Sequence, residues 1–159
     1  MNFQLYSRVI LILFFFISCE PDDICLESNE DTPNLILKFV DSFSGENKSV
    51  SNLRIKGINN IEDFFVGDVD SISIPLNNHE NTSSFSFTKE FESNQSNEDL
   101  IYFNYARNNV YISRSCGYKM EYNIENIIVE NDNSNWIEDA IIETRTVNNE
   151  ISHHVKIYH

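Results

Sequence analysis

Four glycines, three prolines and one tryptophan are all that 159 residues supply of those types. So little glycine leaves scant material for a phosphate-cradling loop. The chain contains no Gly-x-Ser-x-Gly elbow, Walker loop, His-Glu-x-x-His or dinucleotide fingerprint. Positive charge is scarce too: 11 lysines and arginines face 25 aspartates and glutamates, a formal net charge of −14. A field of that sign repels nucleic acid and anionic headgroups, so nucleic acid is not expected as a partner. Solubility is the plain reading of the charge, and affinity for divalent cations or basic partners is the other. No apolar run reaches the ~20 residues that a membrane-spanning helix needs.

What apolar run there is lies at the amino end. Arg8 precedes Val9 to Ile17, and Ser18-Cys19 follows at once. A basic start, a short apolar stretch and a small residue at the end are the layout of a secretory signal, expected to be cleaved after residue 18. Phe16-Ile17-Ser18-Cys19 resembles the lipobox of bacterial lipoproteins, whose cysteine thiol receives diacylglycerol, although that pattern prefers leucine where Phe16 stands. Cys19 is therefore expected to carry lipid, and two or three acyl chains hold a soluble domain on a membrane where one would bind only marginally. All 25 acidic residues and all but Arg8 of the 11 basic ones lie beyond the signal, so the mature chain's formal charge is 10 − 25 = −15. Residues 19–33 read as a lipidated cysteine with an acidic tether, and 34–159 as a single domain.

Of the three cysteines, Cys25 and Cys116 remain once Cys19 is set aside. An even pair in an oxidising compartment is expected to form a disulfide. A metal site at that pair is disfavoured, because neither cysteine has a second ligand at the usual spacing.

From Leu35 onward, short runs rich in Ile, Val, Phe and Tyr alternate with clusters of Asn, Ser, Asp and Gly. They predict strands at 35–40, 53–58, 71–76, 84–88, 100–106, 110–116, 118–130, 136–147 and 151–158. The expected fold is all-β: an antiparallel β-sandwich, Ig-like or jelly-roll-like, of eight or nine short strands. Hairpin connections are expected at Asn77-Asn78, at Arg107-Asn108-Asn109 and at Asn148-Asn149. Leu100 to Ala106 is apolar on both faces and reads as a strand buried on both sides. Trp136 to Thr144 also fits a helical spacing, but its β-branched content favours a strand.

No constellation here signals catalysis, and an enzyme is not expected; neither is a cofactor or a metal. His153, His154 and His159 read as partly exposed histidines, since a strand places His153 and His159 about 20 Å apart. Glu130 to Asn135 is rich in oxygen but lacks the turning glycine and closing glutamate of a calcium loop, so it reads as a solvated turn. Tyr111, Tyr118 and Trp136 are the aromatics assigned to ligand or partner contact, Tyr111 and Tyr118 being the more exposed. Arg114 joins them: it shares a strand face with Ile112 and Cys116, which implies a buried or rim guanidinium needing a carboxylate or carbonyl partner.

The lipobox, Cys25, Thr32-Pro33-Asn34-Leu35, Asp70-Ser71-Ile72 leading to Pro75-Leu76-Asn77, the Ile112–Lys119 string, Trp136-Ile137 and His154-Val155-Lys156-Ile157 together resemble a family of small Bacteroidota envelope lipoproteins of unknown function. The resemblance implies lipid anchoring at the outer membrane, facing the periplasm or the cell surface, and no mechanism. In such proteins acidic residues after the lipidated cysteine, here Glu20, Asp22 and Asp23, resemble a surface-export signal. Asp70-Ser71-Ile72 is similar to a three-residue O-glycosylation acceptor; an exposed strand start is the plainer reading. The expected role is a non-enzymatic, membrane-anchored interaction or accessory module for another envelope protein. The alternative is a glycan-binding surface lipoprotein using exposed aromatics.

Overall fold

The computed structural model describes Ile24, Cys25 and residues 31–159. The signal at 1–18, Cys19 and Glu20, Asp22 and Asp23 lie outside the described residues. The described residues fall into two compact units: Ile24 and Cys25 with Tyr111–Tyr118, and residues 31–110 with Lys119–His159.

The larger unit is all-β. Its strands are β1 (Leu35–Val40), β2 (Val50–Gly57), β3 (Phe65–Val69), β4 (Ser71–Ile74), β5 (Thr82–Lys89), β6 (Asn97–Ser113), β7 (Gly117–Val129), β8 (Asp139–Ile142), β9 (Thr146–Val147) and β10 (Val155–Tyr158), with β6 and β7 running on into the smaller unit. They form two sheets, ordered β4-β1-β10-β8 and β3-β2-β5-β6-β7-β9. Pairing is antiparallel except between β1 and β10, which run parallel with Leu37 beside Val155 and Phe39 beside Ile157. This is the expected β-sandwich, with one parallel pair at the centre of its smaller sheet.

Period-2 alternation explains the layering. Leu35, Leu37 and Phe39 of β1 are fully buried while Ile36 and Lys38 between them are half-buried, so one face of the strand meets the core. The register extends that face across the sheet: Ile72 and Ile74 of β4 stand beside Leu37 and Leu35. The six-stranded sheet answers with Leu53, Ile55, Phe85, Phe87, Ile101 and Phe103, all in the same apolar cluster. Each such side chain contributes roughly 1.5–3 kcal/mol by leaving water.

Two tyrosines close one end of this core. Tyr105 and Tyr122 pack edge to face at 5.1 Å, and both hydroxyls are satisfied by the chain that follows β4. Tyr105 donates to the Asn77 carbonyl at 3.0 Å and shares a 2.7 Å bond with Ser83, while Tyr122 donates to Asn78 Oδ1 at 2.5 Å. Burial pushes the Tyr122 hydroxyl up to about 12. These bonds hold Asn77-Asn78 in a crossover from one sheet to the other. The hairpin expected there does not form, because β4 and β5 belong to different sheets.

Four further expectations are corrected. Arg107-Asn108-Asn109 is not a turn: β6 runs straight through it, with Arg107 bonded to Asn81 Oδ1 and the Asn78 carbonyl. The run 136–147 is not one strand. It breaks at Glu143–Arg145 into β8 and β9, which lie in different sheets, so Asn148-Asn149 also connects sheets instead of turning a hairpin. Leu100 to Ala106 is buried on one face only, through Ile101, Phe103 and Tyr105. β3 is a strand the sequence does not announce, since Gly67 and Asp68 interrupt its apolar pattern; Gly67 takes φ +153°, open to glycine, and β2 opposite is irregular between Val50 and Leu53.

Candidate functional site

His154 and His159 are structural. His154 is 2% exposed and lies just before β10; its Nδ1 accepts the Ile36 amide at 3.1 Å. An accepting Nδ1 leaves the proton on Nε2, so the ring is neutral. His159 is 6% exposed, its Nε2 donates to the Lys48 carbonyl at 3.1 Å, and its buried Nδ1 has no hydrogen-bond partner. Burial lowers the pKa of both. The expectation of partly exposed histidines holds only for His153, whose Nε2 lies 3.6 Å from Glu143. Glu143 is held below its ordinary value chiefly by a hydrogen bond from Lys156, at 2.9 Å.

The oxygen-rich loop is a turn held by its own side chains and by Asn97, which donates to the Ser134 carbonyl at 2.6 Å. Asn131 Oδ1 accepts the Asn133 amide and Asp132 Oδ1 the Ser134 amide, both at 2.8 Å, and Asn135 donates to the Glu130 carbonyl at 2.7 Å. Asp99, 1% exposed, caps the chain that leaves this loop by accepting the Ile137 amide at 2.8 Å. Burial raises its pKa, and its other oxygen has no hydrogen-bond partner. Among the described residues no group of three or more His, Cys, Asp or Glu side chains could hold a metal.

Trp136 belongs to the core. It is 9% exposed, its indole donates to the Phe87 carbonyl at 3.1 Å, and it meets His159 edge to face at 5.7 Å. An indole placed so deep is withdrawn from ligand contact, which corrects its expected role. A tryptophan with a single backbone partner gives no sequence signal to separate the two roles.

Tyr111 and Tyr118 are exposed as expected, at 54% and 68%, and pack edge to face at 5.3 Å. Between them the chain turns through Arg114, Ser115 and Cys116. Arg114 is exposed and sits in this turn, not on a strand face beside Ile112, because β6 ends at Ser113. The turn is tied by the Cys116 amide donating to Ser113 Oγ at 3.1 Å. Cys25 and Cys116 are joined by a disulfide, as expected.

Two other features of the larger unit offer contact surface. A cleft of about 460 Å³ is lined by Asn59, Asn60, Asn77, Glu80 and Tyr102. Tyr102 is engaged there, donating to Glu130 Oε2 at 2.7 Å. The second is β3, which ends the six-stranded sheet and has a strand neighbour on one side only among the described residues. On β3 Val66 is exposed by 49%, and in the chain that leads into it Phe64 and Ile61 are exposed by 46% and 95%. Ser71, the residue of the acceptor-like triplet, is exposed at the start of β4, beside Lys38.

Against known proteins, the model of a family described as "Family of unknown function (DUF6452)" matches residues 52–159. The matched span starts inside β2 and runs to the last residue of the sequence, taking in β3 and the disulfide's Cys116 but not β1. No match was found among curated proteins or solved structures.

Proposed function

We propose, for a chain that belongs to the DUF6452 family and so inherits no activity from it, a lipid-anchored envelope protein that captures an envelope partner along β3. It is read as a lipoprotein of the kind small Bacteroidota envelope proteins resemble, held at the outer membrane through Cys19. The observation that carries the partner reading is that β3 ends its sheet, with exposed Val66 on it and exposed Phe64 and Ile61 in the chain that leads into it. An unpaired edge is a template for an extended peptide: main-chain bonds supply affinity, and alternate side chains supply specificity. Among the described residues no group of three or more His, Cys, Asp or Glu side chains competes with this as a metal site.

Glycan binding is the second reading, favoured by the asparagine-lined cleft beside Tyr102. Its weakness is that Tyr102 is already bonded to Glu130.

Two measurements test the proposal. A fatty-acid analogue should label the wild type, and Cys19→Ala should lose both label and membrane association; equal labelling would overturn the anchor. Val66→Lys puts charge on the edge while the adjoining strand pairing stays intact. It should abolish co-purification of the partner from solubilised membranes, and unchanged co-purification would overturn the edge as the site.

A further inference from the structure

We propose that the hairpin tip Tyr111–Tyr118 docks on the surface of the same bilayer that holds the Cys19 lipid, an inference that rests on the anchoring proposed above. The covalent path is short. Cys116 in the tip is bonded to Cys25, and Cys25 stands six residues after Cys19. Even a fully extended chain spans only about 3.3–3.6 Å per residue, which holds Cys25 within roughly 20 Å of the acylated residue. The disulfide passes that constraint directly to the tip.

The surface so held suits an interface. Ile24, Tyr111 and Tyr118 are exposed by 72%, 54% and 68%. Tyrosine is at home at headgroup level, where its ring meets apolar surface and its hydroxyl stays wet. In a chain with 25 carboxylates, the described residues of this unit, Ile24, Cys25 and Tyr111–Tyr118, include none, and Arg114 is their one charged side chain. Asp22, Asp23 and Glu27 lie nearby in sequence, so the contact is driven by aromatic and apolar burial on zwitterionic lipid and not by net charge. Docking of this kind would restrict the orientation of the anchored protein.

The test uses the full acylated protein in phosphatidylcholine vesicles containing lipid brominated near the headgroup. The wild type, whose one tryptophan is the core residue Trp136, sets the baseline. Tyr118→Trp adds a reporter at an exposed position, and its added emission should fall about two-fold in brominated vesicles. Cys25→Ser/Cys116→Ser in the same background should return that emission to the unquenched level while Cys19 stays acylated. Mass spectrometry of Cys19 separates the two ideas. Acylated protein whose added indole stays unquenched would overturn docking and leave the anchor standing, whereas protein without acyl chains would overturn both. Unquenched emission that instead shifts on adding an oligosaccharide would assign the aromatic pair to a glycan and overturn the membrane contact.

Discussion

His154 Nδ1 takes the amide proton of Ile36 at 3.1 Å, and that single bond fixes the ring as a neutral acceptor between the two central strands of the smaller sheet. Protonation of Nδ1 would turn an acceptor into a donor facing a donor. The buried His159 adds a second ring whose burial opposes charge.

A pH dependence follows. Both histidines titrate below their ordinary value in the folded protein, so the unfolded chain binds more protons near pH 6. Their contribution to stability is complete above the unfolded pKa of about 6.5 and is lost as pH falls from there through the lower folded pKa. His154→Ala should cost about 1–3 kcal/mol at pH 7.5, the penalty for an orphaned buried amide and a lost acceptor. Denaturant titration should show that cost shrinking at pH 5; a cost that does not change with pH would contradict the neutral-ring account.

Asp99 works with the opposite sign. Burial raises its pKa, so its contribution is present below the unfolded value of about 3.9 and falls as pH rises through the folded pKa. Asp99→Asn keeps an oxygen for the Ile137 amide and removes the buried charge. Its melting temperature relative to wild type should increase between pH 4 and pH 8, and a constant difference would show that Asp99 is not desolvated.

The disulfide closes a loop with a sequence separation of 91. In the chain-entropy model a loop of that length corresponds to roughly 4 to 5 kcal/mol, and engineered or native bridges often deliver less. Non-reducing peptide mapping should recover Cys25 and Cys116 linked, and Cys116→Ser should lower the urea midpoint. Free thiols at both positions in protein purified without reductant would contradict the pairing.

Much of this fold is legible in the residues, and the failures share a cause. Leu35–Val40 is readable to the residue because a run of five apolar residues and one lysine is bounded by Asn34 and Asp41. The Cys25–Cys116 bridge follows from cysteine parity. What alternation cannot show is which sheet a strand joins. Asn77-Asn78 carries a turn signature, yet the hydroxyls of Tyr105 and Tyr122, distant in sequence, decide that it crosses between sheets. Arg107-Asn108-Asn109 has the composition of a turn, and pairing along β6 overrides it. β3 escapes because Gly67 and Asp68 hide a strand that exists through its partner β2. The same blindness hides the candidate contact edge, and leaves Trp136 indistinguishable from a surface aromatic until its 9% exposure is known.

The central claim, capture of an envelope partner along β3, is tested most directly by placing a photoreactive amino acid at Phe64 in the full lipoprotein and irradiating intact cells. The account predicts one discrete protein adduct, absent when Val66→Lys is added and absent when the same probe replaces Ile151, which is 90% exposed and lies outside the named strands. No adduct at position 64, or one that survives Val66→Lys unchanged, would contradict it.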